Sequence, residues 1–124
     1  MEEKTSPGYT VLHLRFNLRV SPDVVLAHSR DAAIKVDAVE GLVWKIWLVE
    51  RDRREMGGLY LFADRESAVG YLNHPIIEAL CSNPAVVSMD CQVWNVEESL
   101  SALTRGPLAD VRVGQQELVM TGGR

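Results

Sequence analysis

Three polar side chains, His13, Arg15 and Asn17, stand two apart in a run that otherwise alternates with Leu12, Leu14, Phe16 and Leu18. On a β-strand that spacing puts all three on one face. Together they offer a proton acceptor, a fixed cation and an amide, and a strand inside a sheet cannot hide them without partners, water or a ligand. A second group lies in Gly41-Leu-Val-Trp-Lys-Ile-Trp-Leu-Val-Glu50, which holds two of the three tryptophans with Lys45 between them. Alternation places Lys45 beside Trp47 and sends Trp44 to the opposite face. The stretch pins aromatic and cationic side chains on strand backbone, which holds geometry better than a loop does. Tyr60, in Gly57-Gly-Leu-Tyr-Leu-Phe62, can add a phenolic hydrogen bond. His74 stands at a helix break, Asn73-His74-Pro75.

Each residue also has a plainer reading. His13 can sit satisfied in a packed layer, and Arg15 can pair with an acid of a second subunit. Either tryptophan can be ordinary packing, Lys45 a solvated edge residue, and Tyr60 a core tyrosine with its hydroxyl at the rim. His74 and His28 can both be exposed. Ser88, Asp90 and Gln92 form a polar face that a solvated edge strand explains. No phosphate-binding glycine loop, nucleophile elbow or carboxylate pair is present.

The elements that must position these residues follow from periodicity. Residues 9–18 alternate as a strand. Ser21-Pro22-Asp23 opens a helix, with a capping serine, proline at the first turn and an acid at the positive end of the dipole. One helix is expected from there to Gly41. Strands over residues 42–50 and 58–63 form a hairpin across the charged segment 51–56. Asp64 caps a second helix that breaks at His74-Pro75 and resumes over residues 76–80. A fourth strand spans residues 86–96, and residues 97–103 can add a short helix. Residues 1–8 read as a leader, 9–105 as the domain and 106–124 as a polar tail.

This β-α-β-β-α-β order predicts an α+β, ferredoxin-like fold, with one four-stranded antiparallel sheet and helices on one face. The second strand is apolar on both sides, with Val43, Trp47 and Val49 against Leu42, Trp44, Ile46 and Leu48. Covering the helix-free face calls for a second layer. An identical sheet would supply it, so a homodimer through the sheet faces is expected, with the C-terminal segment as the alternative cover.

Composition narrows the function. The 124 residues are 47% hydrophobic with a net charge of −4, which fits one folded domain and argues against a nucleic-acid partner. No apolar run suits a membrane span, and the first residues lack a signal-peptide pattern, so a cytoplasmic location is expected. Cys81 and Cys91 are expected as free thiols, and no metal site is indicated because neither they nor His74 have zinc-ligand spacing.

The chain resembles the YdhR-like mono-oxygenase family of the dimeric α/β-barrel superfamily. The resemblance rests on His13, Phe16-Asn17, Gly41-Leu-Val-Trp-Lys-Ile-Trp47, Gly57-Gly-Leu-Tyr-Leu-Phe62, Asp64, Ser67-Ala68 and Tyr71-Leu72, and it spans roughly residues 9–104. It departs at both ends and after Asn17, where Leu-Arg-Val replaces a glycine-containing turn. It implies a dimeric α/β barrel with a pocket between sheet and helices, and a cofactor-independent oxidation of a small quinol, phenol or anthrone by dioxygen. On that reading no cofactor is needed. His13 is the base, Asn17, Lys45 and Tyr60 stabilise the anion, Trp47 forms the slot, and Arg15, Trp44 and His74 complete the binding set. An isomerase or decarboxylase, or a non-catalytic binding protein, stays open on the same fold. Haem degradation is a weaker alternative, drawn from Asn17, Tyr60 and His74.

Overall fold

A computed structural model describes residues 8–109. The expected leader and tail therefore fall mostly outside the described residues, at 1–7 and 110–124. The elements are β1 (Thr10–Leu18), α1 (Pro22–Leu26), α2 (Ser29–Asp37), β2 (Leu42–Glu50), β3 (Glu55–Phe62), α3 (Arg65–Tyr71), α4 (Pro75–Cys81), β4 (Val86–Asn95) and α5 (Glu98–Leu103). The sheet order is β2-β3-β1-β4 with every pairing antiparallel. This is the ferredoxin-like arrangement, with β1 and β3 central and β2 and β4 at the edges.

Period two decides which side of the sheet is covered. Thr10, Leu12, Leu14, Phe16 and Leu18 are buried beneath the helices, as are Tyr60 and Phe62 from β3. Ala68 and Tyr71 of α3, Ile77 of α4 and Val36 of α2 close over them to form the main core. A smaller cluster of Phe16, Leu18 and Met56 continues the core toward α1. The opposite face carries Val11, His13, Arg15 and Asn17 from β1 and Leu61 of β3, and the segment after α5 reaches it where Trp44 Nε1 bonds the Pro107 carbonyl.

The caps behave as their chemistry dictates. The Ser21 hydroxyl accepts from Asp23 N at 3.2 Å, and the Asp64 carboxylate accepts from Ser67 N at 2.7 Å. Gly41 takes a left-handed φ of 86° and passes close to Ser67, so a side chain there would both strain the backbone and collide.

Three expectations need correction. The first helical region is two helices, because His28 N and the Ser29 hydroxyl both bond the Val25 carbonyl that a continuous helix would give to Ser29 N. β3 starts at Glu55, since Arg54 turns left-handed after a short 3₁₀ turn and lets pairing begin at Glu50–Glu55. A bulge at Val43 puts Leu42 opposite Phe62 but Trp44 opposite Leu61. Leu42 therefore faces the helices while Trp44 faces away, although strict alternation puts the two together. Among the described residues, no helix is long and apolar enough to cross a membrane.

Candidate functional site

The helix-side surface of β2 and β3 is not filled to its edge. Around Lys45 and Trp47 the helices stand off the sheet and leave an open-mouthed cavity of about 880 Å³. Its floor is β1 and β3, through Leu14, Phe16, Met56 and Tyr60. Tyr71, His74 and Ile77 wall one side, and α2 with its N-cap supplies His28, Asp31 and Lys35 at the rim. The lining is mainly apolar and aromatic, with a few converging polar groups, which is the usual make-up of a small-molecule site.

Lys45 is the central polar group. Its register opposite Tyr60 aims it at the helix side. Gly58 makes room for it: a Cβ at Gly58 would meet Lys45 Cε and the Tyr60 ring. The ammonium nitrogen rests 3.3 Å from the centroid of the Trp47 ring and 4.6 Å from that of Tyr60. Those ring faces favour the cation by about 1 kcal/mol each. Burial outweighs them and brings the amine's pKa from 10.5 down to about 7. Lys45 therefore exchanges a proton near neutrality.

The tyrosines stay protonated. Burial, reinforced by the neighbouring Tyr71, raises the Tyr60 pKa well above its ordinary value, and burial also raises that of Tyr71. The Tyr71 hydroxyl points to the Tyr60 oxygen at a long 3.5 Å, which leaves the Tyr60 proton free to be donated. The rings of Tyr60, Phe62 and Tyr71 pack with centroids 5.1–6.1 Å apart and fix the wall. His74 caps α4, its Nδ1 accepting from Ile76 N at 3.1 Å. With Nδ1 so engaged, neutral His74 carries its proton on Nε2 and serves as a donor rather than a base.

The structure divides the residues singled out from sequence into two sets. Lys45, Trp47, Tyr60 and His74 line the cavity together. His13, Arg15, Asn17 and Trp44 lie on the other face of the sheet and do not reach it. Alternation in β1 is the cause, since burying Leu12, Leu14 and Phe16 under the helices forces His13, Arg15 and Asn17 outward. Arg15 lies across its own sheet, 3.7 Å from Glu55 and 3.8 Å from Asp90. Trp44 Nε1 donates to the Pro107 carbonyl at 2.8 Å. The haem-like set of Asn17, Tyr60 and His74 is likewise split between faces.

Sequence reasoning missed the parts played by Tyr71 and Gly58. Tyr71 was legible only as a core residue, and the signal for Gly58 was its place two before Tyr60 on a strand paired with Trp47. Of the two cysteines, both free, Cys91 is held protonated above its ordinary range by burial and by the Asp90 charge.

Similar proteins carry the same architecture. NE2512, a protein of unknown function from Nitrosomonas europaea, aligns with a TM-score of 0.60 at 21% identity, over 73% of this chain and 90% of that one. SnoaB, a cofactor-independent oxygenase from Streptomyces nogalater, aligns with a TM-score of 0.59 at 16% identity, over 75% and 97%. MhuD, a heme-degrader from Mycobacterium tuberculosis with two hemes bound in its active site, gives 0.57 at 14% identity, over 71% and 95%. At these identities the likeness is one of fold. No curated protein matches the sequence. The model of the family described as "Putative mono-oxygenase ydhR" matches residues 11–107, most of the domain and the whole cavity, and the chain belongs to that family.

Proposed function

We propose that the chain is a cofactor-independent mono-oxygenase acting on a small, flat, electron-rich aromatic substrate, a quinol, phenol or anthrone, inside the cavity between sheet and helices. The observation that carries this reading is Lys45, a desolvated amine titrating at about 7 and held between Trp47 and Tyr60 in an aromatic-lined cavity. Membership of a mono-oxygenase family supports it.

The chemistry asks for a base, an anion stabiliser and a ring slot. The free Lys45 amine removes a proton from the bound hydroxyl or activated methylene. The resulting ammonium stays beside the substrate anion and stabilises it. Tyr60 donates its free proton to a substrate oxygen, and His74 Nε2–H is a second donor at the rim. Trp47 packs against the ring. The anion reduces dioxygen and the two recombine as a peroxide, which loses water. For an anthrone-like methylene the balance is R₂CH₂ + O₂ → R₂C=O + H₂O. Substrate supplies the electrons and dioxygen takes them, with one oxygen atom kept and one leaving as water. Lys45 takes the part of base that sequence gave to His13, because His13 is outside the cavity.

We also propose a homodimer through the open sheet faces. Ile46, Leu48 and Trp94 are 49%, 37% and 57% exposed there, which is costly for a single chain in water. His13, Arg15 and Asn17 then belong to that interface.

The test is oxygen uptake with anthrone and with a substituted hydroquinone. Uptake equal to product formed, lost at least about a hundredfold in Lys45→Met, supports the proposal. Ring binding seen by tryptophan quenching, with no oxygen uptake, would favour a binding protein instead.

A further inference from the structure

The same amine has a second capability that needs no oxygen. The protein has three lysines, Lys4, Lys35 and Lys45. Lys35 is exposed at the cavity rim, while Lys45 forms part of the wall. The Lys45 stem lies in the gap left by Gly58, and its nitrogen is held 3.3 Å from the Trp47 ring centroid. Arg15, Arg51 and Arg53 form ion pairs, and among the described residues no ion pair includes Lys45. A carboxylate partner would hold a lysine as ammonium and block its lone pair; among the described residues none does. Burial favours the free amine as well. Around it, Trp47, Tyr60 and Tyr71 offer flat faces within an 880 Å³ space, ample for a substituted benzene ring.

We propose that Lys45 is a covalent binding site for aromatic aldehydes, which it holds in the cavity as an imine. The Nζ lone pair adds to the carbonyl carbon and forms the C–N bond. The carbonyl π electrons move to oxygen, which is protonated to the carbinolamine hydroxyl. That hydroxyl departs with a second proton as water, and the C=N bond forms. The balance is RCHO + H₂N–Lys45 → RCH=N–Lys45 + H₂O, with no oxidant or reductant. The ring stays against Trp47, and hydrolysis releases the aldehyde unchanged. An aldehyde bound this way ties up the amine, so aromatic aldehydes are reversible inhibitors of any reaction in which Lys45 is the base.

The experiment uses the full chain, benzaldehyde and cyanoborohydride near neutral pH without oxygen, followed by peptide mapping. Reduction fixes each imine as a benzyl amine. The expected result is labelling of Lys45 about tenfold or more faster than Lys35, since an ordinary lysine is almost wholly protonated at that pH. Labelling of Lys45 no faster than of Lys35 overturns the proposal, and so does a fast label that persists in Lys45→Arg. The wild-type map decides the matter if that variant does not fold. Labelling is anaerobic, so failure to oxidise quinols leaves it standing, and absence of label leaves the oxygenase proposal standing.

Discussion

The behaviour of Lys45 sets the chemistry at the residue scale, and its titration makes a claim about stability. The amine's pKa is about 7 when folded and about 10.4 in an unfolded chain. Between those values the unfolded state binds more protons, so stability rises with pH across that window; below about 7 both states are protonated and the penalty of burying the cation is present in full. Lys45→Met is therefore expected to be the more stable protein at about pH 6, by about 2 kcal/mol after allowing for partial exposure, with the advantage shrinking toward pH 10. Urea melts of both proteins across pH check this, and an advantage that grows with pH has the wrong sign. Types and faces were legible in the sequence here, including the separation of Trp44 from Trp47. The burial that brings Lys45 toward neutrality was not, because it depends on tyrosines and helices remote in the chain. Nor was the His74 tautomer, which a backbone N–H two residues on decides.

At the scale of the element, the adjacent glycines of β3 do different jobs. A Cβ at Gly57 would strike the Leu14 carbonyl oxygen, part of the β1–β3 backbone. A Cβ at Gly58 would meet the Lys45 stem, a flexible side chain that can swing away, and press on the edge of the buried Tyr60 ring. Gly57→Ala is expected to cost about 2–3 kcal/mol of unfolding free energy in a urea melt, and Gly58→Ala less, about 1–2 kcal/mol. Gly58→Ala is nonetheless expected to lose most oxygen uptake, since Lys45 leaves its place between the rings. A folded Gly58→Ala protein with full uptake would contradict that. Element order and type were legible because strand and helix periods differ and the caps at Ser21 and Asp64 are strong. The bulge at Val43 and the break at His28 were not, because each is a local departure from the regular hydrogen-bond ladder that periodicity does not mark.

At the scale of the whole molecule, one sheet separates two compartments. The helix side holds the cavity, and the open side holds His13, Arg15, Asn17, Trp44 and Trp94. Sequence could not tell which side bears the pocket, since β2 is apolar on both and β1 shows its polar residues on the side away from the cavity. If the open side is a dimer surface, the chain sediments as a dimer, and Ile46→Glu, at a position 49% exposed, shifts it toward monomer with its helix content kept. A wild-type monomer at micromolar concentration would dismiss the dimer and leave the cavity account untouched. The measurement that bears most directly on that account is the pH dependence of kcat/KM for oxygen uptake with anthrone, in wild type and Lys45→Met. The account predicts a wild-type rate that rises to a plateau with a midpoint near the Lys45 pKa of about 7, and a residual, flat profile in the variant. A Lys45→Met protein that keeps the wild-type rate and midpoint would contradict it.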